Sequence, residues 1–336
     1  MNKSEIINIV ENNYDINIDS IEKIKNSYKI ISNSNKAYAL KIIKYEFNHF
    51  LFIMSCMKHL QYNNFSKIPE IIHNNKGLDY IKIGDFYGYV TEWIEDSRQC
   101  NYNNPVEIMM ASNKLGQLHE KSKNFYITEK MKPRVGWFKW PKTFETRKDE
   151  ILDFKKRILN KNKKSEFDNF YLSILEDEIE RAERAIKNLC KTNYLNVMSK
   201  QIEDRCFCHH DYANHNILID SENQMYIIDF DYCILDTKLH DLASILIRVM
   251  KNGKWDLKSA ELILNSYRKE SHIDKEYIPI MSAFMEFPQD YWQVGIQYYW
   301  ENQPWSEEFF FSKLNKIYED REERQEFIEE FRRINI

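Results

Sequence analysis

Cys206-Phe-Cys-His-His-Asp-Tyr-Ala-Asn-His-Asn-Ile-Leu-Ile219, followed by Met225-Tyr-Ile-Ile-Asp-Phe-Asp231, is the stretch that decides how this chain is read. It contains His209-x-Asp211-x4-Asn216 and then Asp229, which is preceded by an apolar strand and lies 13 residues after Asn216. Oxygen donors on two neighbouring loops suit one kind of chemistry. Phosphoryl transfer needs a carboxylate that orients the acceptor hydroxyl and takes its proton, and further oxygens that hold magnesium. Catalysis of that reaction is mostly positioning and charge neutralisation. An Asp and an Asn on one short loop, with a second Asp after a hairpin, meet the demand.

Working outward, strands flank this core upstream and helices surround it. Ser20–Ile24, Tyr28–Ser32 and Ala37–Ile43 read as three short strands joined by turns at Lys25-Asn26-Ser27 and Asn33–Lys36. The apolar run FNHFLFIMSCMKHL predicts a helix ending near Gln61, and two β-like runs around Gly84-Asp85-Phe86 predict a hairpin. After residue 104 the pattern turns helical, with helices expected over Pro105–Lys121, Lys142–Lys161, Glu166–Lys191 and from His240 onward. The expected architecture is α+β and bilobal: a small antiparallel β-sheet lobe over 1–94, then a large, mainly helical lobe over 95–336.

Composition narrows the class. Apolar residues make up 43% of the 336, enough for a large core, and the formal net charge of −4 argues against a nucleic-acid partner. The six cysteines are scattered, as expected of reduced thiols. The sequence starts MNKSEIINIVENNYDINIDS, with acids where a signal peptide needs an apolar run, and no stretch approaches a membrane span. Synthesis in the cytoplasm, with no membrane partner, is the expectation.

The loops resemble the catalytic and metal-binding loops of the aminoglycoside and choline phosphotransferases, distant relatives of protein kinases. More narrowly, the chain resembles the spore coat protein S family. Supporting stretches are Tyr38-Ala-Leu-Lys41, Tyr89-Val-Thr-Glu-Trp-Ile94, Leu115-Gly-Gln-Leu-His119 and His240-Asp-Leu-Ala243. The resemblance implies a protein-kinase-like fold that uses ATP and Mg2+ to phosphorylate a small-molecule hydroxyl, and a place in the spore coat among coat proteins. It implies Asp211 as catalytic base, His209 as brace of its loop, and Asn216 and Asp229 as metal ligands, with Asp231 helping at a second metal. Lys41 would contact the ATP phosphates, and the backbone of Glu92, Trp93 and Ile94 would meet the adenine. Two departures stand out: the turn that should cover the phosphates, Lys25-Asn26-Ser27, has no glycine, and His210 stands where these families usually have glycine or arginine. Glu46, at the very start of its helix, is the carboxylate available there for Lys41.

Other readings remain open on the sequence alone. Asp211, Asn216 and Asp229 are also common turn residues. Cys206, Cys208, His209, His210 and His215 bring zinc to mind, yet no second ligand pair exists elsewhere. A catalytically inactive, kinase-shaped component of the coat would keep the fold without turnover. Only 11 residues separate Asp229 from Asp241, little room for a segment that docks protein substrates, which favours a small acceptor.

Overall fold

The computed structural model describes residues 2–65 and 67–335, which group into two compact units. The first is the chain up to Val135 together with Arg205–Asp236; the second is Gly136–Asp204 together with the chain from Thr237 onward.

In the first unit, α1 (Lys3–Asn13) is opened by a capping box in which Asn2 and Glu5 exchange hydrogen bonds. It precedes an antiparallel sheet of β1 (Ile18–Ile24), β2 (Ser27–Ser32), β3 (Ala37–Ile43), β4 (Ile71–Ile72), β5 (Ile81–Ile83) and β6 (Phe86–Glu92). The strand order is β1-β2-β3-β6-β4, with β5 also on β6. Ile30, Leu40, Ile81, Ile83 and Val90 form the buried face, which Ile6 and Val10 of α1 cover. Helix α2 (Phe47–Tyr62) follows β3, and its Phe47 and Phe50 pack among Tyr80 and Tyr87. The first three strands and this helix lie where the sequence pattern put them.

Gly88 lets β6 run close to β3. A Cβ there would stand 3.0 Å from the Lys41 carbonyl oxygen and 2.9 Å from a methyl of Ile83. The requirement is for space, and it sits one register step from the Lys41–Tyr89 pair.

The pattern change after residue 94 set the expected break between lobes there. The compact grouping instead keeps 95–135 and 205–236 with the strand-rich part. The physical reason is pairing: β7 (Arg98–Gln99) adds to a second sheet with β8 (Ile217–Ile219) and β9 (Met225–Ile227). Helix α3 (Pro105–Lys121) has the expected bounds, with Asn104 accepting from the Val106 N–H and Pro105 in the first turn, where its missing N–H costs nothing.

The second unit is helical: α4 (Trp140–Leu159), α5 (Glu166–Ser173), α6 (Leu175–Cys190), α7 (Tyr194–Glu203), α8 (Leu239–Met250), α9 (Leu257–Tyr267), α10 (Tyr277–Glu286), α11 (Gln289–Gly295) and α12 (Glu307–Phe331). Its core includes Phe154, Phe167, Tyr171, Tyr291, Phe310 and Leu314. Tyr171 and Tyr291 stack with centroids 4.2 Å apart, and the Tyr291 hydroxyl donates to the Tyr171 carbonyl at 2.8 Å. The single helix expected over Glu166–Lys191 is two, broken at Ile174. Ile174 is buried, so the apolar periodicity runs through the break and hides it from a pattern reading.

Candidate active site

All the residues singled out in the two loops lie in the first unit, as does Lys41. Cys208 exchanges backbone hydrogen bonds with Ile234 (2.8 and 3.1 Å), which fixes the entry to the Asp211 loop against the exit from the Asp229 loop. His209, fully buried, then ties the loops at a second point. The Asp211 N–H donates to its Nδ1 at 3.3 Å, so Nε2 carries the proton and donates to the Ile228 carbonyl at 3.0 Å. His209 thus bridges backbone groups of the two loops.

His210 has φ +68° and Asp229 φ +67°, left-handed conformations that cost an L-residue about 1–2 kcal/mol each. Strain of this kind persists where surrounding structure overdetermines it, and it gathers at functional sites. At His210 it is a backbone conformation that glycine would adopt without steric cost; at Asp229 it comes just past the end of β9.

Asn216 closes the Asp211 loop. Its amide NH2 donates to both the Asp211 carbonyl and Asp211 Oδ2, each at 2.9 Å, while the Ile228 N–H donates to the Asn216 carbonyl at 2.9 Å. With its NH2 spent on Asp211, the side chain has its amide oxygen left as acceptor, the atom a hard cation would take.

Lys41 is buried on β3 with Tyr89 opposite it in register. Its Nζ stands 2.5 Å from Asp229 Oδ1 and 2.8 Å from Asp231 Oδ1. Burial works against the charged ammonium, but Tyr89, Asp231 and Asp229 outweigh it and raise its pKa above the ordinary lysine value. The two carboxylates respond in opposite senses. Burial pushes Asp229 up, but Lys41 and its hydrogen bond hold it below the usual carboxylate value. Burial also pushes Asp231 up, and there Lys41, opposed by the charge of Asp229, does not compensate. Asp231 Oδ1 is buried and, although within ion-pair distance of Lys41, meets no well-aligned hydrogen-bond donor. Two carboxylates held around one cationic nitrogen, with an amide oxygen on the adjoining loop, are the kind of oxygen donors a divalent cation takes, so Asp229, Asp231 and Asn216 fit magnesium in their chemistry.

Glu46 does not reach Lys41. It is exposed, caps the start of α2 and pairs with Lys132 at 2.8 Å. Glu92 ends β6 opposite Tyr38, the Trp93 N–H donates to the Ala37 carbonyl at 3.1 Å, and the Ile94 carbonyl accepts from the Ser97 hydroxyl at 2.8 Å. Trp93 therefore has no backbone donor left for a base. The glycine-free turn is tight, with two residues between β1 and β2 and Lys25 at φ +52°. Cys206 and Cys208 both direct their sulfurs to the Asp236 carbonyl, and all six cysteines are free thiols. The sequence gives no signal for the pairing of Tyr89 with Lys41, because that depends on strand register alone.

Among the described residues no helix is long and apolar enough to cross a membrane. The fold is that of the kinase-like phosphotransferases. An aminoglycoside phosphotransferase from Alicyclobacillus acidocaldarius subsp. acidocaldarius DSM 446 matches it with a TM-score of 0.81 at 21% identity, over 96% of this chain and 94% of that one. Spectinomycin phosphotransferase APH(9)-Ia, solved with ADP and spectinomycin, matches with a TM-score of 0.71 at 17% identity over 99% of each chain. In sequence, the chain is 21% identical over 339 residues to spore coat protein S of Bacillus subtilis (strain 168), covering 97% of this chain and 94% of that protein. Residues 7–331 match a family model, and the chain belongs to that family, described as "Spore coat putative kinase YutH".

Proposed function

We propose that this member of a spore coat kinase family is an ATP- and magnesium-dependent phosphotransferase that acts on a hydroxyl of a small molecule. The observation that carries this reading is the placement of Asp211, fixed by Asn216 and His209, on loops tied to the one bearing Asp229 and Asp231, which Lys41 faces. Asp211 orients the acceptor hydroxyl and takes its proton as the acceptor oxygen bonds to the γ-phosphorus. The bond from that phosphorus to the β–γ bridging oxygen breaks, and its electron pair leaves with ADP. Asp229, Asp231 and the Asn216 amide oxygen are the donors that would hold magnesium, which supplies charge neutralisation on the phosphates. Lys41 turns from the carboxylates to the phosphates when nucleotide enters. The 11 residues between Asp229 and Asp241 favour a small acceptor over a protein. The family supports a place in the spore coat, with coat proteins as partners.

The test is a thermal-shift titration with ATP and magnesium, run beside Asp229→Ala. A ligand that binds only the folded state raises its melting temperature. A rise of several degrees in the wild type, lost in the variant, supports the reading and justifies screening acceptors. The second reading, a kinase-shaped structural component of the coat, is favoured by the tight, glycine-free turn Lys25-Asn26. A folded protein with no shift would select it.

A further inference from the structure

Asp229 and Asp231 share the single ammonium of Lys41, and Asp211 stands on the loop tied to theirs. Added magnesium would offset them, but the phosphates of a nucleotide bring new negative charge. A further cation is needed where that charge gathers, and Arg134 meets the requirement on four counts.

Its backbone is pinned on both sides. The Leu235 N–H donates to the Arg134 carbonyl at 3.0 Å, next to the Val135–Leu235 bridge, so Arg134 joins the ladder that leads through Ile234 and Cys208 to the Asp211 loop. Two residues earlier, the Lys132 N–H donates to the Asn48 carbonyl at 3.0 Å, and the Lys132 carbonyl lies 3.0 Å from His49 Nδ1. The guanidinium itself is held by rings, 5.0 Å from the centre of Tyr45 and 5.5 Å from that of Tyr232, within cation–π range of both. Tyr232 follows Asp231 directly, so the ring that holds the guanidinium is covalently next to the acidic loop. Among the described residues no carboxylate pairs with Arg134, although acids and bases are paired throughout this unit. Two aromatic faces leave the N–H edge of a guanidinium free to donate, in the planar fork that suits a phosphate.

We propose that Arg134 is the residue that reads the γ-phosphate, its guanidinium neutralising the phosphoryl group as it passes to the acceptor. Tyr45 and Tyr232 position it. The inference rests on the phosphotransferase reading above.

Calorimetric titration with magnesium and either ADP or AMP-PNP, which keeps a γ-phosphate but resists transfer, tests the two separately. The wild type is expected to prefer AMP-PNP, and Arg134→Met to lose about tenfold or more of AMP-PNP affinity, the worth of a hydrogen bond to a charged group. ADP affinity should stay unchanged, which loss of fold alone would not allow. Arg134→Gln, closer in shape, carries the comparison if the methionine variant melts without cooperativity. An undiminished AMP-PNP preference in the variant overturns the proposal, as does equal affinity for both nucleotides in the wild type. A folded wild type that binds neither nucleotide sinks the phosphotransferase reading, and this proposal with it.

Discussion

Lys41 Nζ lies 2.5 Å from Asp229 Oδ1, and the same nitrogen is 2.8 Å from Asp231 Oδ1, so the lysine stands where a divalent cation would stand. Removing it leaves two part-buried carboxylates facing each other. Lys41→Met is expected to lose about 2–3 kcal/mol of stability, less than the full cost of an unpaired buried charge because solvent reaches Asp229. Magnesium alone should then raise the melting temperature of the variant more than that of the wild type. Thermal melts with and without magnesium check this, and equal responses would rule out the stand-in role.

Asp211 is fixed by Asn216 and His209 but does not pair with Lys41. Asp211→Asn is expected to slow transfer by about 10²–10⁴-fold, the usual worth of a positioned base, with nucleotide affinity largely kept. Turnover measured beside binding decides it: an unchanged rate would remove Asp211 from its role.

The turn between β1 and β2 holds Lys25 at φ +52°, a conformation glycine adopts without steric cost. Lys25→Gly is expected to stabilise the protein by roughly 1 kcal/mol or less, the relief of about 1–2 kcal/mol of strain exceeding about 0.4–1 kcal/mol of added freedom in the unfolded chain. It should also tighten nucleotide binding, since glycine lets the backbone come closer to a phosphate. Chemical denaturation and nucleotide titration are the measurements, and a loss of stability would show that the lysine side chain matters more than its backbone.

Asp168 in α5 is buried and accepts from Lys161 at 2.8 Å, the Ser165 N–H at 3.0 Å and the Tyr299 hydroxyl at 3.0 Å. Burial pushes its carboxyl up, but these partners together hold it below the ordinary value of 3.8. A depressed carboxyl contributes stability above the unfolded-state value, and that contribution is lost as pH falls through the folded one. Asp168→Asn should therefore cost about 2 kcal/mol at neutral pH and less in acid, where wild type and variant converge. Denaturation curves at neutral and strongly acidic pH read this directly; a gap that does not narrow would refute the assignment.

Much of the fold was legible because local chemistry and tertiary structure agree. Pro105 marked the start of α3, and the turn at Asn33–Lys36 marked the start of β3. The break at Ile174 was not legible, because a buried isoleucine continues the apolar stripe across it. Helix α1 carries a signal in the sequence itself, Asn2 and Glu5 at capping-box spacing ahead of Ile6, Ile7, Ile9 and Val10. In the candidate site, the spacing of His209, Asp211, Asn216 and Asp229 places them on two short loops, which the structure ties together. The partner of Lys41 was not, because Glu46 precedes a helix that turns it outward to Lys132. Arg134 carried no local signal; pairing with Leu235, about a hundred residues away, brings it against Tyr232.

The double tie through His209 and through Cys208–Ile234 has a mechanical consequence. Because the loops bearing Asp211 and Asp229 are fastened to each other at two places, they travel as a single plate. Whatever excursions the molecule makes, the spacing of Asp211 from Asp229 is the ruler that stays fixed, and motion can change only what is delivered to it.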